Sequence, residues 1–338
     1  MADIAKVLSI SLLILILVLT SMCIDNDDDS DEGGPDQPIC KSGMLTSNET
    51  WSGDIFVTGW VTVPRDMVLT IEPGTRIYFS PYRGYKESWR LTGLSTDGGV
   101  INAVGNPDGM IWFTSDAEEP LNGDWEGIQF HNSNDSLFKY VIVEFAVLGI
   151  MQFDSFVEVS HSIVWWVNSE GLYAERSTPT FRSNILYGNG YHDIALEQYN
   201  KNVEISGNHF LGGHVSLHFE KTEAVVRNNF FTGYESPITG GMDSKVTVKE
   251  NRFREYSDPD PIRFDDTVTS TIEGNDLGDD SVMEPEIDII DIREREPDYI
   301  PGEPEDRFRY VYEAEDETRR VVKRIGKGLS FGWSLVHA

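Results

Sequence analysis

The chain has 338 residues and carries 57 acidic side chains against 27 Lys and Arg, a formal net charge of −30. That charge repels phosphate backbones and anionic headgroups, which excludes nucleic acid as a partner and direct docking on a membrane surface. Two cysteines exclude a disulfide-dense mini-scaffold, while 39% hydrophobic residues suffice for a sizeable core.

At the N-terminus, Lys6 precedes the 18-residue apolar run VLSISLLILILVLTSMCI (7–24). One base, an apolar core and an abrupt polar exit read as an export segment. Cys23 stands at the end of the run, where bacterial and archaeal lipoproteins carry their lipidated cysteine, although Met22 is larger than the residue that normally precedes it. The run is also long enough to stay as an uncleaved anchor. In a third reading it is a cleaved signal, and Cys23 merely ends it. Each reading places the rest of the chain outside the cytoplasm, at the surface of a prokaryotic cell. A lipid on Cys23 would leave Cys40 without a partner. Next comes DNDDDSDEGGPDQP (25–38), which cannot bury enough apolar area to fold and reads as a solvated spacer.

From residue 51 the pattern changes to short runs that alternate apolar and polar residues, beginning with VTVPRDMVLTIEPGTRIYF (61–79) and IWFTS (111–115). Alternation over four to eight residues argues for strands with one buried face. The runs then repeat. GIQF (127–130), GIMQF (149–153), GLYAE (171–175), DIALE (193–197), VSLHF (215–219), PIT (237–239) and PIRF (261–264) recur every 21 to 24 residues. A second register has the same period and holds Asn184, Asn208, Asn229, Asn251 and Asn275, with Val141 and Ser162 in the equivalent slot upstream. A period near 22 with strand-like runs is the mark of stacked coils. Parallel strands joined by crossovers favour the right-handed hand. The predicted fold is therefore all-β, a right-handed parallel β-helix. Inward Asn side chains at a bend would bond the neighbouring coils, so the Asn ladder is read as scaffold.

The predicted organisation is 1–24 signal or anchor, 25–50 acidic linker, 51–283 β-helix and 284–338 C-terminal cap. Within the cap, EIDIIDI (286–292) reads as a terminal rung and 313–326 as a short helix, acids first and bases later as its dipole prefers. A basic docking tail is the other reading of that stretch.

The entry coil 61–79, IWFTS and GDWEGIQF (123–130), together with the repeats, resemble the right-handed parallel β-helix superfamily with the pectate-lyase-like fold, over roughly residues 50 to 280. The resemblance specifies fold far better than activity, because the group spans lyases, hydrolases, epimerases, adhesins and proteins without known catalysis. It implies that polysaccharide-acting members place their acids on an exposed sheet face.

Outward strand positions are where chemistry would sit. Taking Ile128, Ile150, Leu172, Ile194, Val215, Ile238 and Ile262 as inward, the first outward row is Gln129, Met151, Tyr173, Ala195, Ser216, Thr239 and Arg263. The row two residues on is His131, Phe153, Glu175, Glu197, His218, Gly241 and Asp265. Glu175, Glu197 and His218 then fall on successive coils about 5 Å apart. Neighbouring carboxylates disfavour joint ionisation and can form an acid–base pair, with His218 as proton relay. Their spacing suits a retaining glycosidase, and the three would alternatively hold a divalent cation such as calcium. Tyr173, Phe153, Gln129, His131, Arg263 and Asp265 are the candidate ligand contacts, the aromatics as sugar-stacking surface.

Arg176 and Arg263 are the only arginines near this face, and no lyase or epimerase motif transfers residue by residue. No zinc pattern links His192, His209 and His214. Of the adjacent Trp165 and Trp166, one is expected to point outward. The leading functional reading is a non-catalytic, membrane-tethered surface module that binds glycan. The alternatives are a polysaccharide lyase, hydrolase or epimerase, and a structural spacer or adhesin component.

Overall fold

Val157 and Val159 are fully buried, whereas Glu158 between them faces outward, so strand Val157–Ser160 alternates up to the buried Ser160. Leu172–Glu175 and Lys245–Lys249 alternate likewise, whereas Val141–Glu144 is buried on both faces. The computed structural model describes residues 38–81 and 92–278, with the backbone of Arg319–Arg320 and Gly332–Trp333. One coil shows the plan: Gly127–His131, then Ser136–Lys139, then Val141–Glu144, after which Ile150–Phe153 opens the next. Each strand pairs in parallel with its counterpart one coil away, for example Ile128 with Ile150, Ile150 with Leu172, and Leu172 with Ile194. The result is a right-handed parallel β-helix with about 22 residues per coil, and no helix occurs among the described residues.

Three parallel ribbons form the walls. The front sheet contains Gly127–His131, Ile150–Phe153, Leu172–Glu175 and His192–Glu197. The back sheet contains Ser136–Lys139, Val157–Ser160, Thr180–Arg182, Val203–Ser206, Glu223–Arg227 and Lys245–Lys249. The side sheet contains Val141–Glu144, Ile163–Trp165 and Ile185–Tyr187. In three coils the side and front strands merge into single long strands, Asp54–Pro64, His209–Glu220 and Phe230–Gly241. The interior is filled by like residues stacking, as in the run Phe210, Phe231 and Phe253, whose ring centroids lie 4.7 and 4.8 Å apart.

The Asn register forms the expected ladder. Asn229 Oδ1 accepts the backbone N–H of Asn208 at 2.8 Å, and Asn251 Oδ1 accepts that of Asn229 at 3.0 Å. The Asn229 side-chain amide meanwhile donates to the Ile205 carbonyl at 2.9 Å. Ser162 fills the slot upstream and accepts from Val141 N. The residue before each slot is left-handed, among them His161, Ser183, Asn228 and Glu250 at φ near +55°. A non-glycine residue there costs about 1 kcal/mol, which the ladder bonds offset.

A second ladder, not anticipated from the sequence, runs through Ser155, Ser177, Asn200, Thr222 and Ser244 at the front-to-back corner. There Ser177, Asn200 and Ser244 accept backbone N–H groups of the preceding coil, and Thr222 accepts from the Asn200 side-chain amide.

Three expectations change. Trp165 and Trp166 are both buried, and the Trp165 indole donates to the fully buried Glu144 carboxylate. Cys40 is held in a disulfide, whereas lipidation of Cys23 predicted it to be unpaired. The third change concerns register: Ile194 pairs with Leu217, not with Val215, which moves every outward residue of that strand by two. The linker before residue 38, the rung 286–292 and the expected helix 313–326 lie outside the described residues, except that Arg319–Arg320 pairs antiparallel with Gly332–Trp333.

Candidate functional site

With the corrected register, the first outward row of the front sheet is Gln129, Met151, Tyr173, Ala195, His218, Thr239 and Arg263. The second runs from His131 through Phe153, Glu175 and Glu197 to Glu220 and Gly241; Glu220 lies opposite Gly241. His218 therefore shares Tyr173's row, and Glu220 takes the place assigned to it beside the glutamates. The second ladder carried the signal for this: the outward acid lies two residues before the slot at Glu175–Ser177 and again at Glu220–Thr222.

Tyr173 is the centre of the cluster. Its Oη lies 2.6 Å from Glu175 Oε1 and 3.0 Å from Glu197 Oε2. A phenol has one proton, and the shorter contact assigns its donation to Glu175. The same Oη–H faces Glu197 as the alternative acceptor of that one proton. Burial pushes the Glu197 carboxyl above its usual range, against the Tyr173 contact, and the Glu220 charge pushes the same way as burial. Burial and the two carboxylates also raise the phenol, so Tyr173 stays protonated. The arrangement is a phenol set between two carboxyl groups on adjacent coils.

Arg176 follows Glu175 at a left-handed corner, φ +47°. From there its guanidinium donates to Glu175 Oε2 at 2.8 Å and, through Nη2, to Asp154 Oδ2 at 2.9 Å. Both contacts are open to solvent and contribute little to stability, but they fix the direction of Glu175. Two coils on from Glu175, His218 Nδ1 meets Thr239 Oγ1 at 2.9 Å and its Nε2 meets Glu220 Oε1 at 3.3 Å. The His218 ring stacks on buried His192 at 5.0 Å. His192 Nδ1 stands 3.6 Å from Glu170 Oε1, too far for a hydrogen bond, and burial lowers the His192 pKa. Glu175, His218 and Glu220 are about one-quarter exposed, half-buried rather than fully solvated as outward residues were expected to be.

The other sequence candidates flank this centre. Gln129 Oε1 and His131 Nε2 lie 3.2 Å apart. The His131 and Phe153 rings stack at 4.9 Å, and Phe153 meets Tyr173 at 5.9 Å. Their faces are turned to one another, so they offer edges outward. Arg263 pairs with Asp258, and Asp265 accepts from Thr267 in a local turn, so these two lie apart from the cluster. Among the described residues no three His, Cys, Asp or Glu side chains are arranged to hold a metal ion.

Sequence reasoning passed over a buried neighbour. Asp193, one position before the inward Ile194, accepts from Tyr234 Oη and from Asn189 Nδ2 at 2.7 Å. Burial raises its carboxyl to about 7. In the corresponding position the preceding coils carry Gly149 and Gly171, so Asp193 breaks a glycine row.

Residues 127–281 match the family model described as "Right handed beta helix region". This segment is a right-handed β-helix region. No curated protein sequence matches the chain significantly. Three solved structures are similar at low identity. The periplasmic alginate epimerase AlgG is 11% identical, covering 66% of this chain and 76% of that one, with a TM-score of 0.32. Pectate lyase Pel9A is 10% identical over 64% and 71%, TM-score 0.35. An alginate lyase from Paenibacillus sp. str. FPU-7 is 9% identical over 67% and 100%, TM-score 0.27.

Proposed function

We propose that the chain is an exported cell-surface module that binds a polysaccharide along its front sheet without cleaving it. The observation that carries this reading is an outward strip over four coils, in which Tyr173 bonds Glu175 and Glu197, and His218 bonds Glu220 and Thr239. Such a strip offers paired acceptors and donors at a repeat of about 4.8 Å, which suits the repeating hydroxyls of an extended glycan. Its cations are few: Arg176 is engaged by Asp154 and Glu175. The ligand is therefore a neutral or amino-bearing polymer, not a polyuronate.

A second reading is supported by the Tyr173 bridge. Glu197, whose carboxyl burial pushes upward, and Glu175 on the adjacent coil, about 5 Å apart, match the spacing of a retaining glycosidase. One experiment separates the two. The full chain is screened against neutral, amino-bearing and uronate polysaccharides for retention and for new reducing or unsaturated ends. Retention without products, lost in Glu197→Gln, is the expected result. New ends that vanish in the same variant would establish hydrolysis or elimination, and indifference of every glycan would remove both readings.

The run 7–24 supports export, and the acidic stretch 25–38 supports a spacer between membrane and solenoid. Cys40 is in a disulfide, and Cys23 is the other cysteine of the chain.

A further inference from the structure

The side sheet is apolar on its outer face as well as its inner one. Strand pairing places Trp112, Ile142, Ile163, Ile185, His209 and Phe230 in one outward row, each directly opposite the next. Their chain neighbours Phe113, Val143, Val164, Leu186, Phe210 and Phe231 point inward and fill the core. Five coil steps of about 4.8 Å make the outward row about 24 Å long. Charged residues bound it, Arg76 opposite Trp112 at one end and Arg252 opposite Phe230 at the other.

Outward residues on a bare sheet keep part of their surface in water. Val225, outward on the back sheet, is 37% exposed, whereas Ile142 and Ile163 on the side sheet are each 2% exposed. Trp112, Ile185 and Phe230 are buried with them. In the adjoining outward row Glu144 is fully buried, accepting from Thr114 Oγ1 at 2.7 Å and from Trp165 Nε1 at 2.5 Å. A carboxylate that faces outward loses its water only beneath a cover. The other two walls do not provide one, because each turns its outer face away from the side sheet.

We infer that the outer face of the side sheet is the docking surface of the chain's own C-terminal segment, residues 319–338. Two observations point to this occupant. Arg319–Arg320 pairs with Gly332–Trp333, and Gly332–Trp333 comes within 8 Å of strand His209–Glu220, which continues the outward row through His209. The segment also has the composition of a cover, with Val321, Val322, Ile325, Leu329, Phe331 and Leu335 in a short span. The open last coil is a different place: Ile272, opposite the inward Val248, is 51% exposed. The C-terminal segment is thus a strap along the flank, shielding a face that would otherwise associate with other apolar surfaces.

The test is limited proteolysis of the full chain with trypsin, which reaches the bonds after Arg319, Arg320, Lys323, Arg324 and Lys327 only when the strap lifts. The double variant Ile142→Lys, Ile163→Lys sets charge into the row and should lose its C-terminal peptide about tenfold faster than the parent. Val225→Lys, on the back sheet, should behave as the parent. Equally fast cleavage in parent and double variant overturns the docking. So does a C-terminal segment that stays protected in a double variant whose solenoid is folded by circular dichroism. If the double variant does not fold, a photo-crosslink decides, with p-benzoylphenylalanine in place of Trp333 in the full chain. Irradiation should join position 333 to side-sheet strands of the same molecule. Joining to another wall, to the last coil or to a second copy overturns the inference, as does no joining at all.

Discussion

The phenol of Tyr234 hydrogen-bonds the carboxyl of Asp193, 41 residues earlier, and neither side chain exceeds 2% exposure. The bond reaches across coils inside a wall where the preceding positions are glycine. Burial raises the Asp193 pKa from 3.8 to about 7, so the folded state holds its proton more tightly than the unfolded chain. The stability this confers is fully present below pH 4 and is lost as pH rises through about 7, at about 1.4 kcal/mol per pH unit within that window. Asp193→Asn should flatten the decline between those limits. Urea unfolding midpoints across pH measure it, and an unchanged slope in the variant would place the titration elsewhere.

Asn251→Ala removes an acceptor used by Asn229 N and a donor to the Val226 carbonyl. The expected cost is about 1–3 kcal/mol per stranded group. Glu223→Ala, on an exposed outward position, should stay within about 0.5 kcal/mol. Equal effects of the two in chemical denaturation would dissolve the ladder as a source of stability.

Gly149 and Gly74 separate two reasons for glycine. A Cβ on Gly149 would lie 2.1 Å from the Gly171 carbonyl oxygen, whereas one on Gly74 meets nothing but sits at φ +81°. Gly74→Ala should therefore cost about 1 kcal/mol of backbone strain. Gly149→Ala must push two coils apart, at about 3 kcal/mol. The order of their melting temperatures decides the point.

Tyr173→Phe deletes the proton shared with Glu175 and the contact that opposes the rise at Glu197. The Glu197 carboxyl should then titrate at still higher pH, followed by carboxyl-carbon NMR. The loss of one half-buried hydrogen bond should cost stability only about 1 kcal/mol. A Glu197 titration that moves downward would mean that Glu197 donates to the phenol oxygen rather than accepting from it.

Cys40 should resist maleimide labelling in the native, unreduced protein and react after reduction, since its sulfur is already bonded. Immediate labelling without reductant would show that the Cys40 sulfur is free.

Much of the scaffold was legible because stacking makes sequence repeat. Asn208, Asn229 and Asn251 sit in one slot for one physical reason, and the entry strands around Val61, Val63, Leu69 and Ile71 show plain alternation. The candidate site was half legible. Tyr173, Glu175 and Glu197 fall on coils of constant length and meet as expected. His218 and Glu220 were misassigned because Val215 and Leu217 are both apolar and both buried, and hydropathy alone does not choose between them. The hydroxyl ladder was invisible for a related reason: Ser155, Ser177 and Thr222 look like ordinary corner residues until two coils are superposed. Asp193 was missed because its burial depends on Tyr234, a partner that no periodicity connects to it.

The fused strand His209–Glu220 carries chain continuously from the side wall to the front wall, and its neighbour Phe230–Gly241 does the same. Every interstrand bond in these walls runs along the long axis, between one coil and the next. Tension applied from a tether at one end would load those bonds one coil after another. Each released coil would lengthen the chain by about 75 Å, from some 22 residues at about 3.4 Å each. Under the drag of flowing medium the molecule would behave as a ratcheted shock absorber, lengthening in equal steps rather than failing at once.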